Sequence, residues 1–395
     1  MITVAQALQT VLNSCHNFGI EEIPFLKSMG RILKEEIVAD RDFPPFNRVS
    51  MDGISIDYQQ FKNGRRVFKI EGIQAAGSRQ ITLKDLKNCI EVMTGAILPN
   101  HTNTVIRYED VTLEDGIATV NIDLIKEGQN SHNKGKDRKV NDLLITQNTK
   151  ISAAEMGVLA TVGKSVVKVA KQPKVMIVSS GDELVGVDQI PLEYQIRRSN
   201  VFTLVSLLER LNIPSETSHI SDDKLIIKSK IESYLLEYDV VLFSGAVSKG
   251  KYDFLPEIFE ELKVYKKFHK VMQRPGKPFY FGKTDTCTVF GFPGNPISTF
   301  VNCLAYFYPW YHRSVGLEIL EEMAILGEDV SFVPNLDYFL QVALENKSGN
   351  LVAFPVSANG SGDLASLANT DAFMQLPKDA TEFKKGEVYP ILKYR

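Results

Sequence analysis

Apolar positions change their spacing three times along the chain. Residues 3–16 carry Val4, Ala7, Leu8, Val11 and Leu12 at helical intervals, with Thr3 placed to cap the first turn. The turn-rich segment DRDFPPFNR at 40–48 reads as a boundary. From there to about residue 125 the apolar runs are short and strand-like, at 66–71, 89–94, 104–108 and 117–122. Beyond Pro173 short apolar runs alternate with longer helical patterns. Strands are predicted at 175–178, 239–243 and 288–292, and helices at 199–211, 222–236, 254–262 and 296–310. Ile227, Ile231 and Leu235 recur four apart, and Pro296 opens its helix at the first position. Such alternation predicts an α/β domain with a mostly parallel sheet. After Gly316 the pattern returns to short strands and turns, predicting a small β domain. No internal repeat is visible.

Composition narrows the function. The 395 residues include 45 Lys plus Arg against 48 Asp plus Glu, a formal charge of -3, which argues against a nucleic-acid coat. Cys15, Cys89, Cys287 and Cys303 form no C-x-x-C pair, so neither a disulfide scaffold nor a zinc ribbon is expected. The six histidines show no metal-binding spacing. No run approaches the ~18 apolar residues of a membrane span. The first fifteen residues lack a basic start and a long apolar core, so no signal peptide is expected and a cytoplasmic location is.

Candidate chemistry sits where strands end and helices begin, the usual ligand position in open α/β sheets. Ser179-Ser180-Gly181-Asp182-Glu183-Leu184 combines a tight turn with two carboxylates, able to hold a divalent cation or to charge a helix start. Ser244 to Asp253 lies in phosphate-loop context, with residues 245–251 fitting the opening of a P-loop. Tyr252 stands where a small hydroxyl should bind Mg²⁺, so a Gly-rich, anion-facing turn with Asp253 at its rim is the better reading. Arg274-Pro275-Gly276-Lys277-Pro278 holds two cations between prolines, and Gly291 to Ser298 supplies a second stiff turn running into a helix start. Residues 126–139 set five basic side chains against two acidic ones, either a solvated loop or an anion-facing one.

Taken together, SMDG at 50–53, MTGAILP at 93–99, SSGDEL at 179–184, SGAVSKGKYDF at 244–254, RPGKP at 274–278, GFPGNPIS at 291–298 and the segment 358–377 occur in one order. The chain thereby resembles the molybdopterin molybdenumtransferase family, the MoeA proteins and the E domain of gephyrin. The resemblance implies an elongated homodimer with α/β plus β domains. It places a discontinuous N-terminal domain at 1–46 and 140–172, and a β-rich lever domain at 47–139. A central α/β molybdopterin-binding domain follows at 173–317, then a C-terminal β-barrel-like domain at 318–395.

The activity it implies is Mg²⁺-dependent insertion of molybdate into adenylylated molybdopterin with release of AMP, a molybdopterin adenylyltransferase supplying the substrate. Neither nucleic acid nor membrane is an expected partner. Asp52 and Thr94 would enter from the partner protomer as catalytic residues, with Glu183 and Asp253 lining the crevice and holding Mg²⁺. Ser180, Gly181, Asp182, Gly245, Ser248, Arg274, Lys277, Pro278, Pro293, Asn295, Ser298, Asp137 and Ser361 would bind substrate and oxyanion. The chain departs from the family pattern at Ile54, where an aromatic is usual, at His132 and Lys136 in the basic loop, and at Ala246. It also lacks an arginine expected near Gln341. Three other readings stand beside this one: a scaffold on the same fold, a nucleotide enzyme using 245–251, and an inactive paralogue.

Overall fold

A computed structural model describes residues 1–245, 255–318 and 320–395. Contacts divide the chain into two compact units. One comprises residues 35–147 and 153–166, the other residues 1–34, 148–152 and 167–395.

The smaller unit is built on a mixed six-stranded sheet. Its order is Thr104–Arg107, Gly53–Ile56, Cys89–Val92, Val67–Gln74, Ile117–Val120 and Val111–Glu114. Adjacent residues of a strand face opposite sides. Cys89 and Ile54 therefore join one core with Phe61 and Phe68, while Ile90 and Val92 join another with Leu83 and Leu98. Gly53 lies where the backbone of its neighbour passes close: a Cβ there would stand 1.9 Å from the Ile106 carbonyl oxygen. Only glycine fits at that position.

The larger unit contains the α/β sheet, ordered Ser215–Ile220, Val175–Ser180, Val240–Ser244, Thr288–Phe292, Tyr280–Lys283 and Tyr265–His269. The first four strands run parallel, and the last two form an antiparallel extension. Helices cover both faces, as parallel sheets require. Val175, Ile177, Val240 and Leu242 meet Leu204 and Leu208 of Asn200–Glu209, with Val4, Ala7 and Val11 of Val4–Leu12 in the same core. Met176, Val178, Val241 and Phe243 meet Ile227, Ile231 and Leu235 of Lys224–Glu237. Thr3 caps the first helix reciprocally with Gln6.

The C-terminal strands close into a barrel. Asp337–Lys347, Asn350–Pro355, Glu322–Leu326, Val388–Lys393 and Ala372–Leu376 follow one another, and the last pairs back onto the first. Gln273–Arg274 adds to this barrel as a short parallel strand beside Asp337 and Tyr338. The two cations predicted from sequence thus hang at the seam between sheet and barrel.

Candidate functional site

Three turns meet at the carboxyl ends of the parallel strands. Ser180 and Gly181 end Val175–Ser180, Gly245 follows Val240–Ser244, and Pro293 and Gly294 follow Thr288–Phe292. The Gly245 N–H donates to the Phe292 carbonyl at 3.1 Å. Asn200 joins the turns from the next helix, its Nδ2 donating to Ser244 Oγ at 2.9 Å and to the Gly294 carbonyl at 2.7 Å. Its Oδ1 is buried without a hydrogen-bond partner among the described residues. Asp182 and Glu183 are both exposed. Asp182 Oδ1 accepts from the Asp222 N–H at 3.2 Å, whereas the Glu183 side chain has no partner among the described residues. Ser248 and Asp253 lie outside the described residues, as does most of the 245–251 turn.

Beside these turns opens a cavity of about 400 Å³, walled by Arg274, Lys277, Pro278, Pro293, Asn295, Ser298 and Ser361, with Tyr338 and Gln341 from the barrel. Among the described residues no carboxylate lines it. Arg274 and Lys277 are exposed, and among the described residues neither pairs with an acid. The Arg274 guanidinium stands 5.9 Å from the Phe332 ring centre, and Phe332 stacks on Tyr338. Burial raises the Tyr338 phenol above its ordinary pKa, with Arg274 opposing the shift. The opposite rim is braced: Asn295 Nδ2 donates to Ser361 Oγ at 2.8 Å, and the Ile297 N–H to the Ser361 carbonyl at 3.1 Å. Gln341 is buried, and its Nε2 donates to Ser366 Oγ at 2.8 Å and Thr370 Oγ1 at 3.0 Å. The barrel wall is therefore neutral there. Two cations and several hydroxyl and amide groups, with no acid among the described residues, make a cavity suited to a compact, multiply charged anion.

In the smaller unit three sequence-predicted segments come together. The Gly95 N–H donates to the Val49 carbonyl and the Ser50 N–H to Asn130, while Val49 pairs with Ser131. Asp52 Oδ1 accepts the Thr94 N–H at 2.6 Å. That bond and a second from the Thr94 side chain hold the Asp52 carboxyl below its ordinary pKa. Asp137 stands 2.8 Å from His132 Nε2. So Asp52 and Thr94 are partners, and His132 occupies Asp137 in place of the arginine that the resemblance leads one to expect.

Asn200 and the buried amides behind the cavity carry no local signal in the sequence. An asparagine at a helix start reads as a cap, and its link to Gly294 spans 94 residues. Among the described residues no group of three or more His, Cys, Asp or Glu is placed to hold a metal, and no helix is long and apolar enough to cross a membrane.

Comparison with known proteins covers this geometry from end to end. Residues 2–163 match the model of the MoeA N-terminal region (domain I and II), residues 176–312 a probable molybdopterin binding domain, and residues 323–394 the MoeA C-terminal region (domain IV). A molybdopterin molybdenumtransferase of Synechocystis is 38% identical over 99% of both chains. One of Staphylococcus aureus is 30% identical over 99% of this chain and 95% of its own. The crystal structure of a molybdopterin biosynthesis MoeA protein from Pyrococcus horikoshii superposes with a TM-score of 0.84 at 28% identity, covering 100% of this chain and 99% of the other. With its sheet, barrel and basic cavity in that setting, the chain belongs to the MoeA family of molybdopterin molybdenumtransferases.

Proposed function

We propose that this protein inserts molybdate into molybdopterin activated as its adenylate and releases AMP. The observation that carries the reading is the cavity holding Arg274, Lys277 and the Ser298 hydroxyl, with no acid among its described walls. Molybdate is a tetrahedral dianion. A planar guanidinium offers it paired donors, an ammonium adds a point charge, and a hydroxyl completes the shell. The strand-end turns of Ser180, Gly181, Asp182 and Gly245 adjoin Pro293 and Asn295 and would seat the pterin phosphate. The protein then acts by positioning and charge neutralisation, without a covalent intermediate.

Mg²⁺ fits this donor set. Glu183 presents an exposed carboxylate without a partner among the described residues, and Mg²⁺ characteristically takes one or two carboxylates together with substrate phosphates. Glu183 and Asp253 would hold the ion, which when bound neutralises the phosphoanhydride. The working molecule is a homodimer in the cytoplasm, fed by a molybdopterin adenylyltransferase. Asp52, Thr94 and Asp137 of one protomer complete the cavity of the other. Its chain is organised as the four domains that the resemblance implies.

The test is reconstitution with adenylylated molybdopterin, Mg²⁺ and molybdate, following AMP and molybdenum incorporation together. AMP should appear in step with bound molybdenum and only when Mg²⁺ is present. Binding of the adenylate without turnover would remove the enzyme assignment.

A further inference from the structure

The turn bearing Arg274 and Lys277 is held from beneath by side chains that do not themselves carry charge. Gln273, Asn302 and Tyr306 are fully buried. The Tyr306 hydroxyl donates to Gln273 Oε1. Gln273 Nε2 donates to Asn302 Oδ1 at 2.8 Å and to the Pro275 carbonyl at 2.9 Å. Asn302 Nδ2 donates to the Gly276 carbonyl at 3.3 Å. Pro275 and Gly276 are the only residues between the two cations, and both of their carbonyls accept from this lattice.

Sequence spacing explains how one helical path supplies it. Pro296–Asn302 is α-helical and continues into a π-helical turn, Cys303–Phe307. Ser298, Asn302 and Tyr306 are four residues apart. Positions four apart share a helix face, and π-turns occur preferentially at functional sites. Ser298 reaches the cavity, whereas Asn302 and Tyr306 are absent from its wall. The fit beneath the turn is close. Gly276 has φ +87°, and a Cβ on it would lie 2.8 Å from Asn302 Oδ1 and 2.9 Å from Gln273 Nε2. The surroundings are otherwise aromatic, with Phe279 stacked on Tyr306 at 4.7 Å. Polar groups are costly in such a place unless each is bonded, and a fully bonded network in low dielectric fixes a single geometry. Simple core filling would be achieved more cheaply by apolar side chains.

We infer that Asn302 and Tyr306 are positioning residues for the oxyanion site, acting through Gln273 on the backbone between Arg274 and Lys277. They touch neither substrate. They hold the base from which the two cations project, so less ordering is needed when the anion binds. The inference rests on the oxyanion reading of the cavity given above.

Steady-state kinetics of the full-length protein test it. Tyr306→Phe removes one oxygen and Asn302→Leu removes the amide at similar size. Each should raise the KM for molybdate about tenfold while the KM for adenylylated molybdopterin stays within about twofold. In a Lys277→Ala background the Tyr306→Phe effect should shrink, because the turn then no longer presents that cation. A purely structural role would instead move both KM values together, or add fully to Lys277→Ala, and either result overturns the inference. Should Asn302→Leu fail to fold, Tyr306→Phe decides alone. An unchanged molybdate KM in Lys277→Ala would overturn the oxyanion reading itself, and the inference with it. A raised KM there beside an unchanged one in Tyr306→Phe would overturn the inference only.

Discussion

Asp52 owes its low pKa to one neighbour. The Thr94 backbone N–H is the larger cause and the Thr94 side chain the second, while slight desolvation opposes both. Thr94→Ala should therefore raise the Asp52 pKa part of the way to its ordinary value, as read by carboxyl-carbon NMR titration. The folded pKa is depressed, so the carboxylate's contribution to stability is present above the unfolded value of about 3.9 and lost as pH falls through the folded one. Thr94→Ala should weaken that contribution without altering its sign. An unmoved Asp52 titration would show that the backbone bond acts alone. At this scale the sequence is legible where stiffness coincides with charge or with a helix start: RPGKP sets two cations beside prolines, and GFPGNPIS runs a stiff turn into a helix opened by Pro296. Asn200, Asn302 and Tyr306 are illegible because each looks like an ordinary helical residue. Their meaning lies in hydrogen bonds to Gly294, Gly276 and Gln273.

At the scale of elements, legibility follows burial. Val175–Ser180, Val240–Ser244 and Thr288–Phe292 are buried on both faces and read as continuous apolar runs. The edge strand Ser215–Ile220 leaves no strand signal in the sequence, because SETSHI is half exposed and mostly polar. Tyr265–His269 is silent for the same reason: of YKKFH only Phe268 is buried. The predicted helix over 296–310 is interrupted by a π-turn, which leaves no periodic trace in sequence. The following helix, Tyr308–Ser314, offers a pH test. Burial, with Lys150 nearby, lowers the His312 pKa to about 4 from 6.5. Between those values the unfolded chain binds a proton that the folded chain refuses. Stability is then complete above pH 6.5 and declines as pH falls toward 4, by roughly 1.5 kcal/mol from pH 6.5 to 5. His312→Gln should remove that share of the decline. Melting curves at pH 7, 6 and 5 for both proteins measure it, and parallel curves would show that His312 does not carry the effect.

Net charge is a whole-molecule quantity, and it conceals what the molecule does with its charges. A formal charge of -3 from 45 basic and 48 acidic residues gives no hint of a cavity with two cations and, among the described residues, no acid. Folding makes that separation, by bringing residues 274–278, 293–298 and 358–361 to one place. What the larger unit lacks is a described carboxylate facing the same cavity, whereas Asp52 and Asp137 belong to the smaller unit. The homodimer reading resolves this by pairing one protomer's Asp52 with the other's Lys277, and it makes a quantitative prediction. Assayed at molybdate well below the wild-type KM, Asp52→Ala and Lys277→Ala homodimers should each be nearly inactive. Unfolded together and refolded as an equal mixture, half of the dimers should be mixed. In a mixed dimer one site carries both substitutions and the other carries neither. Total activity should then recover to about a quarter of the wild-type value, as random pairing of two subunits requires. If Asp52 and Lys277 served the same protomer's site, every site in the mixture would carry one substitution or the other and no activity would return. Mass measurement of the refolded sample confirms that mixed dimers have formed, so a missing recovery counts directly against a site shared between protomers.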